Sequence, residues 1–396
     1  MRYTIGQLAE IIDGDRGKNY PKQDEFYPQG YCLFLNTGNV TKEGLIFEEN
    51  QFIMKEKDEA LRKGKLKRGD IVYTTRGTVG NAGYYNSNVP YENVRINSGM
   101  VILRANGEIV DARFLYQILK SEYYRPYFKQ YCTGSAQPQL PIKNFSQIYL
   151  NVPDIKTQHR IADILSAYDN LIENNQKQIK LLEEAAQRLY KEWFVDLRFP
   201  GHENTKIVDG VPEGWNEKTL SQVANVIMGQ SPKSEFYNSE KKGLPFHQGV
   251  GSYGVRFVID DIYSTSYTRI AEPNSILFSV RAPVGRLNIT KNKVVIGRGL
   301  AAINQTDGCQ SYLYYLLKNK FFKDNIVGNG AIFASVSKDE LLNQKFLIPE
   351  RNLMMQFEKI VSQMDKQIEN LDSKNKKLIE ARDRLLPKLM SGEVEA

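Results

Sequence analysis

Side chains able to grip nucleic acid stand beside glycines at several points of the sequence. Examples are Arg76-Gly77-Thr78, Gly229-Gln230-Ser231 and Gly297-Arg298-Gly299. A guanidinium can make two bonds to guanine O6/N7, a glutamine amide can do the same at adenine N6/N7, and Lys, Ser and Thr anchor phosphate. The candidates are Arg76, Thr78, Arg95, Gln137, Gln139 and Lys143 in the first half of the chain. In the second half they are Gln230, Ser231, Lys233, Arg281, Arg298, Ser335 and Lys338. Each also has a plain structural reading, as a solvated surface residue or a brace within a loop. The net charge of +7 admits an anionic partner without requiring one.

Catalytic constellations are harder to find. Gly249-Val250-Gly251-Ser252-Tyr253-Gly254 fits G-x-G-x-x-G, but strand-like residues follow where a dinucleotide site needs a helix N-terminus. Asn88-Val89-Pro90-Tyr91 lacks the first proline of an amino-methyltransferase motif and reads as a turn. Asp260-Asp261 has no Glu-x-Lys nearby to complete a nuclease site, and no Ser-His-Asp logic is visible. The histidines His159, His202 and His247 and the cysteines Cys32, Cys132 and Cys309 are too scattered to suggest a metal site. The expectation is therefore a chain with no catalytic centre, no metal and no cofactor of its own. Three scattered cysteines suggest a reducing compartment, and no apolar run approaches the roughly 18 residues of a membrane helix. We expect a cytoplasmic protein with no membrane partner.

The elements that must position these residues occur twice. The chain has 396 residues, of which 41% are apolar and 25% charged, as suits two to four globular domains rather than a disordered or fibrous chain. Leu115-Tyr116-Gln117-Ile118-Leu119-Lys120 is answered by Leu313-Tyr314-Tyr315-Leu316-Leu317-Lys318, and Arg76-Gly77-Thr78-Val79-Gly80 by Arg281-Ala282-Pro283-Val284-Gly285. Ile5, Leu8 and Ala9 are answered by Leu220, Val223 and Ala224. From Val152 onward the offset holds at 196 residues, through Ile172/Ile368, Leu182/Leu378 and Leu189/Leu385. Each repeat is thus a variable globular part followed by a constant part.

The constant parts read as long helices. Leu165, Tyr168, Ile172, Asn175, Ile179, Leu182, Ala186, Leu189 and Trp193 step by threes and fours with charged residues between them. So do Val361, Met364, Ile368, Leu371, Asn375, Leu378, Arg382, Leu385 and Leu389. This is the a/d pattern of a coiled coil. The variable parts carry short strand runs at 69–75, 101–103, 274–280 and 293–296, and short amphipathic helices at 114–124 and 312–322. The reading is an α+β chain: a globular domain at 1–152, a helix at 153–199, a linker at 200–212, a second globular domain at 213–348 and a second helix at 349–396.

Gly134-Ser135-Ala136-Gln137-Pro138-Gln139-Leu140 resembles the Gly-Ser-x-Gln-Pro loop of the specificity (S) subunits of type I restriction-modification systems. Gln158-His159-Arg160-Ile161-Ala162-Asp163-Ile164-Leu165, opening the first helix, is similar to the same family. So are Arg188-Leu189-Tyr190-Lys191-Glu192-Trp193-Phe194-Val195-Asp196 and Leu385-Leu386-Pro387-Lys388-Leu389-Met390-Ser391-Gly392. The second repeat departs from the pattern, with Gly330-Ala331-Ile332-Phe333-Ala334-Ser335 in place of the Gln-Pro loop and Met355-Gln356 in place of His159-Arg160. The resemblance implies two target-recognition domains, each reading one half of a bipartite double-stranded DNA site. It also implies a pseudo-two-fold tandem repeat whose two helices pair antiparallel, set the spacer and dock two methyltransferase (M) subunits. Restriction (R) subunits would join these, with S-adenosylmethionine and ATP held by the partners. A stand-alone DNA methyltransferase or nuclease, or a purely structural coiled-coil scaffold, are the alternatives.

Two finer expectations follow. Residues 165–193 span roughly 42 Å as a helix, close to one turn of B-DNA at about 34–36 Å. Counting seam layers, Asn175 is fourth in its helix and Asn375 fifth in the other, so an antiparallel register centred between those layers brings the two amides together. The second expectation is that Trp193, Phe194 and Leu197, crowded at the end of the first helix, dock a partner subunit.

Overall fold

The computed structural model describes residues 1–134, 137–321 and 335–395. The chain divides into two compact units, 1–176 with 373–396 and 177–372. Both long helices cross that division. The first, Ile155–Phe194, and the second, Arg351–Ser391, each give one part of their length to each unit.

The first unit is built on a four-stranded antiparallel sheet in the order Ala9–Asp13, Met100–Ala105, Ile71–Thr74, Ala82–Tyr84. A smaller sheet sets Cys32–Leu35 between Phe52–Ile53 and Val94–Ile96, parallel to the latter. A capping box opens the chain: Gln7 N donates to Thr4 Oγ1, and Thr4 N donates to Gln7 Oε1. That turn drives Ile5 and Leu8 into a core shared with Phe114, Leu115, Ile161 and Leu165 of the first half of the chain, and with Leu386 and Leu389 of the second long helix. The strand run at 101–103 extends over Met100–Ala105, whereas the helix expected at 114–124 is interrupted, running Ala112–Lys120 and resuming at Arg125–Lys129.

The second unit repeats the plan. Ala224–Met228, Leu300–Gln305, Ile276–Ser279 and Leu287–Ile289 form its four-stranded sheet, beside a five-stranded one containing Leu244–His247 parallel to Val294–Ile296. Thr219 and Gln222 rebuild the capping box. Its core takes Ala186, Tyr190 and Trp193 from the first long helix and Phe357 and Val361 from the second. The stretch expected to be a linker is part of this unit. Ile207–Val208 pairs with Val211–Pro212 as a hairpin, and the Phe199 and Trp215 rings on either side of it lie 5.5 Å apart, both buried.

The helices run antiparallel and meet in the register counted from the seam. Asn175 Nδ2 donates to Asn375 Oδ1 at 2.7 Å, within the first unit. Ion clusters tie each recognition domain to both helices. In the first unit Asp169 accepts bonds from Lys120 Nζ at 2.8 Å, Gln117 Nε2 at 2.6 Å and Arg382 of the second helix at 2.8 Å. In the second, buried Arg256 reaches Glu183 of the first helix, Asp365 of the second and the Tyr315 hydroxyl. Asp169 and Asp365 are repeat equivalents, and each takes one cation from its own globular domain.

Candidate nucleic-acid interface

In the first unit, backbone bonds gather polar side chains along an edge that closes one end of the four-stranded sheet, past Thr74 and before Met100. Thr75 N and Arg76 N both donate to Gly99 O, at 2.9 and 3.1 Å, and Leu140 N donates to Thr75 O at 2.9 Å. The buried Thr74 hydroxyl donates to Thr78 O and accepts from Asn81 N, which pins the turn in which Gly77 and Gly80 take φ of 69° and 99°. L side chains rarely adopt those angles, so glycine is needed there. Thr133 and Gln139 exchange both backbone hydrogen bonds, at 2.7 and 2.9 Å. Arg76, Thr78, Gln137 and Gln139 are all exposed around this edge; Ser135 and Ala136 lie outside the described residues.

The second unit builds the same edge from other residues. Val280 N donates to Gly299 O, Val336 N to Val280 O, and Arg281 bridges Ser335 as Arg76 bridges Gln139. Ser279 Oγ donates to Pro283 O and accepts from Arg286 N, the counterpart of the Thr74 brace. Gln230 N reaches Ile296 O and Arg298 N reaches Ser231 Oγ, so Gln230, Ser231, Arg281, Arg298 and Ser335 share the edge. Lys233, exposed two residues on, pairs with Glu235 at 3.8 Å. Residues 330–334 lie outside the described residues.

Several candidates are placed elsewhere. Arg95 is not available to DNA. Its side chain is 6% exposed, with Nε on Asp58 Oδ1 and its other nitrogens on the carbonyls of Asp58, Leu61 and Lys63. Burial pushes the Asp58 carboxyl up, but Lys65 and Arg95 outweigh it and hold the group below the usual carboxylate range. Arg95 is a loop brace, because four of its five N–H donors are spent on the chain. Lys143 and Lys338 are exposed on Ile142–Ser146 and Lys338–Leu342, which lead away from the edge toward the capping-box helices Ile5–Leu8 and Leu220–Val223.

Trp193, Phe194 and Leu197 are likewise not a free docking patch. Trp193 is 8% exposed, and the Phe194 ring lies 5.0 Å from Tyr312 and 5.2 Å from Phe357. Leu197 packs half-buried on the same core. The second recognition domain itself covers this apolar bulk.

Sequence reasoning missed four residues at the two edges. Arg16 donates to Ser98 O at 3.3 Å, and a Cβ on Gly99 would lie 2.9 Å from Thr37, which adds Arg16, Thr37 and Ser98 to the first edge. Gln248 joins the second, with Gly299 N donating to its carbonyl at 3.1 Å. Ser98 and Gln248 each precede a glycine, a signal that could have found them.

A Ser-His-Asp arrangement, not visible in the sequence, is present. His247 Nδ1 lies 2.8 Å from Ser252 Oγ and Nε2 lies 3.1 Å from Asp260 Oδ1. The ring is fully buried, and the half-buried Ser252 Oγ also donates to Gly249 O at 3.2 Å, so the group braces a turn. Among the described residues no cluster of three or more His, Cys, Asp or Glu could hold a metal ion, and no helix is long and apolar enough to cross a membrane.

Residues 1–184 and 212–381 match the family described as type I restriction modification DNA specificity domain. The type I restriction enzyme HindI specificity subunit of Haemophilus influenzae is 25% identical over 468 residues, covering 98% of this chain and all of that one. The MjaVIII specificity subunit of Methanocaldococcus jannaschii is 26% identical over 421 residues, covering 99% and 93%. A crystal structure of the S subunit of a type I restriction-modification system from M. genitalium shares the fold, with a TM-score of 0.57 at 18% identity over 98% of this chain and 95% of that one.

Proposed function

The chain belongs to the type I restriction-modification DNA specificity family, and we propose that each of its two units reads one half of a bipartite DNA sequence for a multisubunit enzyme. The observation that carries this is the twice-built edge. Matching backbone braces, Thr75 N on Gly99 O and Val280 N on Gly299 O, present unlike exposed side chains. Matching scaffolds with different polar residues suit two different half-sites. In this reading the two long helices set the unread spacer between the half-sites. M subunits carrying S-adenosylmethionine and R subunits using ATP supply the chemistry, in the cytoplasm, while this chain supplies address and no catalytic group.

The test is to assemble the chain with methyltransferase subunits and map methylated bases across a genome. A two-part motif is expected, and replacing residues 1–152 with the matching domain of a relative should change one part only. Methylation by the isolated chain, or a replacement that alters both parts or neither, overturns the reading.

A further inference from the structure

Gln248 occupies a built position. The carbonyl of His247 before it accepts Gly297 N at 2.8 Å, and its own carbonyl accepts Gly299 N at 3.1 Å. Side chains are excluded around it. A Cβ at Gly297 would meet Gln248 Cα at 2.9 Å and Ser231 Oγ at 3.0 Å, one at Gly299 would meet Gln248 O at 2.5 Å, and one at Gly229 would meet Gly297 O at 2.1 Å. Three backbone segments therefore close on one point, from which Gln230, Gln248 and Arg298 project exposed. Behind it, the ring of His247 is held on both nitrogens, by Ser252 and Asp260.

The first unit shows what this position does when it is only structural. There Leu35 takes the place of His247, with Asn97 N on its carbonyl at 3.0 Å, so Asn36 stands where Gln248 stands. The Asn36 amide is spent on its own loop: Oδ1 accepts Gly38 N at 2.7 Å and caps a short turn. The Gln248 side chain makes no hydrogen bond to the protein among the described residues, although its backbone is pinned on both sides. An amide offering one donor and one acceptor side by side, on an immobile backbone beside Arg298, matches the N7 acceptor and N6 donor of adenine in the major groove.

We infer that Gln248 is a specificity-determining residue that reads one adenine in the half-site of the second unit. This rests on the DNA-reading role proposed above. The experiment is competition binding of the chain assembled with its methyltransferase subunits, using duplexes that carry every single-base change in the methylated motif. Gln248→Ala should flatten discrimination at one A·T pair of one half-site by about ten- to hundredfold and leave every other position unchanged. Gln248→Glu, which has acceptors only, should move the preference at that same pair toward cytosine. Unaltered discrimination in both variants overturns the inference. So does a uniform loss across all duplexes, which marks a phosphate contact. Failure of the underlying reading looks different, because the unmutated assembly would then show no sequence preference.

Discussion

Asn175 and Asn375 are not repeat equivalents, yet their side chains are bonded at 2.7 Å, and Asn375 is 7% exposed. Asn375 Nδ2 also faces Ile172 O at 3.5 Å. The residues 196 positions away from them are Leu371 and Ile179, so any shift of one helix along the other sets an amide against an apolar side chain. One polar pair in an otherwise apolar seam is a recognised means of selecting register.

Asn375→Ala should lower stability by about 1–3 kcal/mol, because the Asn175 amide loses its partner in a half-covered seam. Replacing both with Leu should restore or raise stability while loosening the register. Denaturant unfolding measures the first effect, and cysteine cross-linking between the helices measures the second.

Asp169 serves two cations. Burial pushes its carboxyl up, but Lys120 and Arg382 together outweigh that, so the group is held below its ordinary value of 3.8. Lys120 faces burial and the like charge of Arg382, and its ammonium is held below its usual range. The stability contributed by Asp169 is complete above pH 3.8 and is lost as the pH falls through the lowered native value. Asp169→Ala should cost about 3–5 kcal/mol at neutral pH, and Lys120→Met less, since Arg382 still neutralises the carboxylate. Unfolding curves from neutral to acid should be flatter for the Asp169 variant.

Arg95 and Arg76 should separate stability from recognition. Arg95→Ala leaves Asp58, 2% exposed at its side chain, to Lys65 alone and removes the donor from three carbonyls, so it should cost about 1–3 kcal/mol without altering the methylated motif. Arg76 is exposed, so Arg76→Ala should shift stability by no more than about 0.5 kcal/mol while weakening DNA binding by the assembled complex. Thermal unfolding and a DNA titration on both variants check this.

Trp193 and Phe194 should behave as core residues of the second unit. Trp193→Ala leaves a cavity against Phe357 and should cost about 3–5 kcal/mol. Phe194→Ala should destabilise the same unit and leave association with methyltransferase subunits intact under folding conditions, as read by co-purification. Lost association with unchanged stability would return these rings to a docking role.

Much of the architecture was legible because it rests on periodicity. The step of three and four from Leu165 to Trp193 shows a helix and its buried stripe, and the constant 196-residue offset marks a second copy. The seam register was legible too, since two polar breaks at unlike layers have few ways to avoid burial alone. Boundaries were less so. The expected linker is a hairpin flanked by the buried rings of Phe199 and Trp215, tilted against each other, a contact between residues that local pattern does not connect.

The amino-acid sequence by itself determined the repeat, the helices, their partnering faces and the residue types available for DNA, since each follows from local spacing or composition. Only the tertiary structure decided which of those residues face outward. Arg95 and Arg76 are the same residue type with the same apparent chemistry. The first lies on a strand beside the helix Lys55–Ala60 and the turn after it, which supply Asp58 and three carbonyls, and the second lies on a turn that spends only its backbone. Gln248 precedes a glycine in the sequence, but only the fold shows Gly229, Gly297 and Gly299 closing around it. Exposure and donor satisfaction depend on contacts between distant segments, and those are set by packing rather than by local pattern.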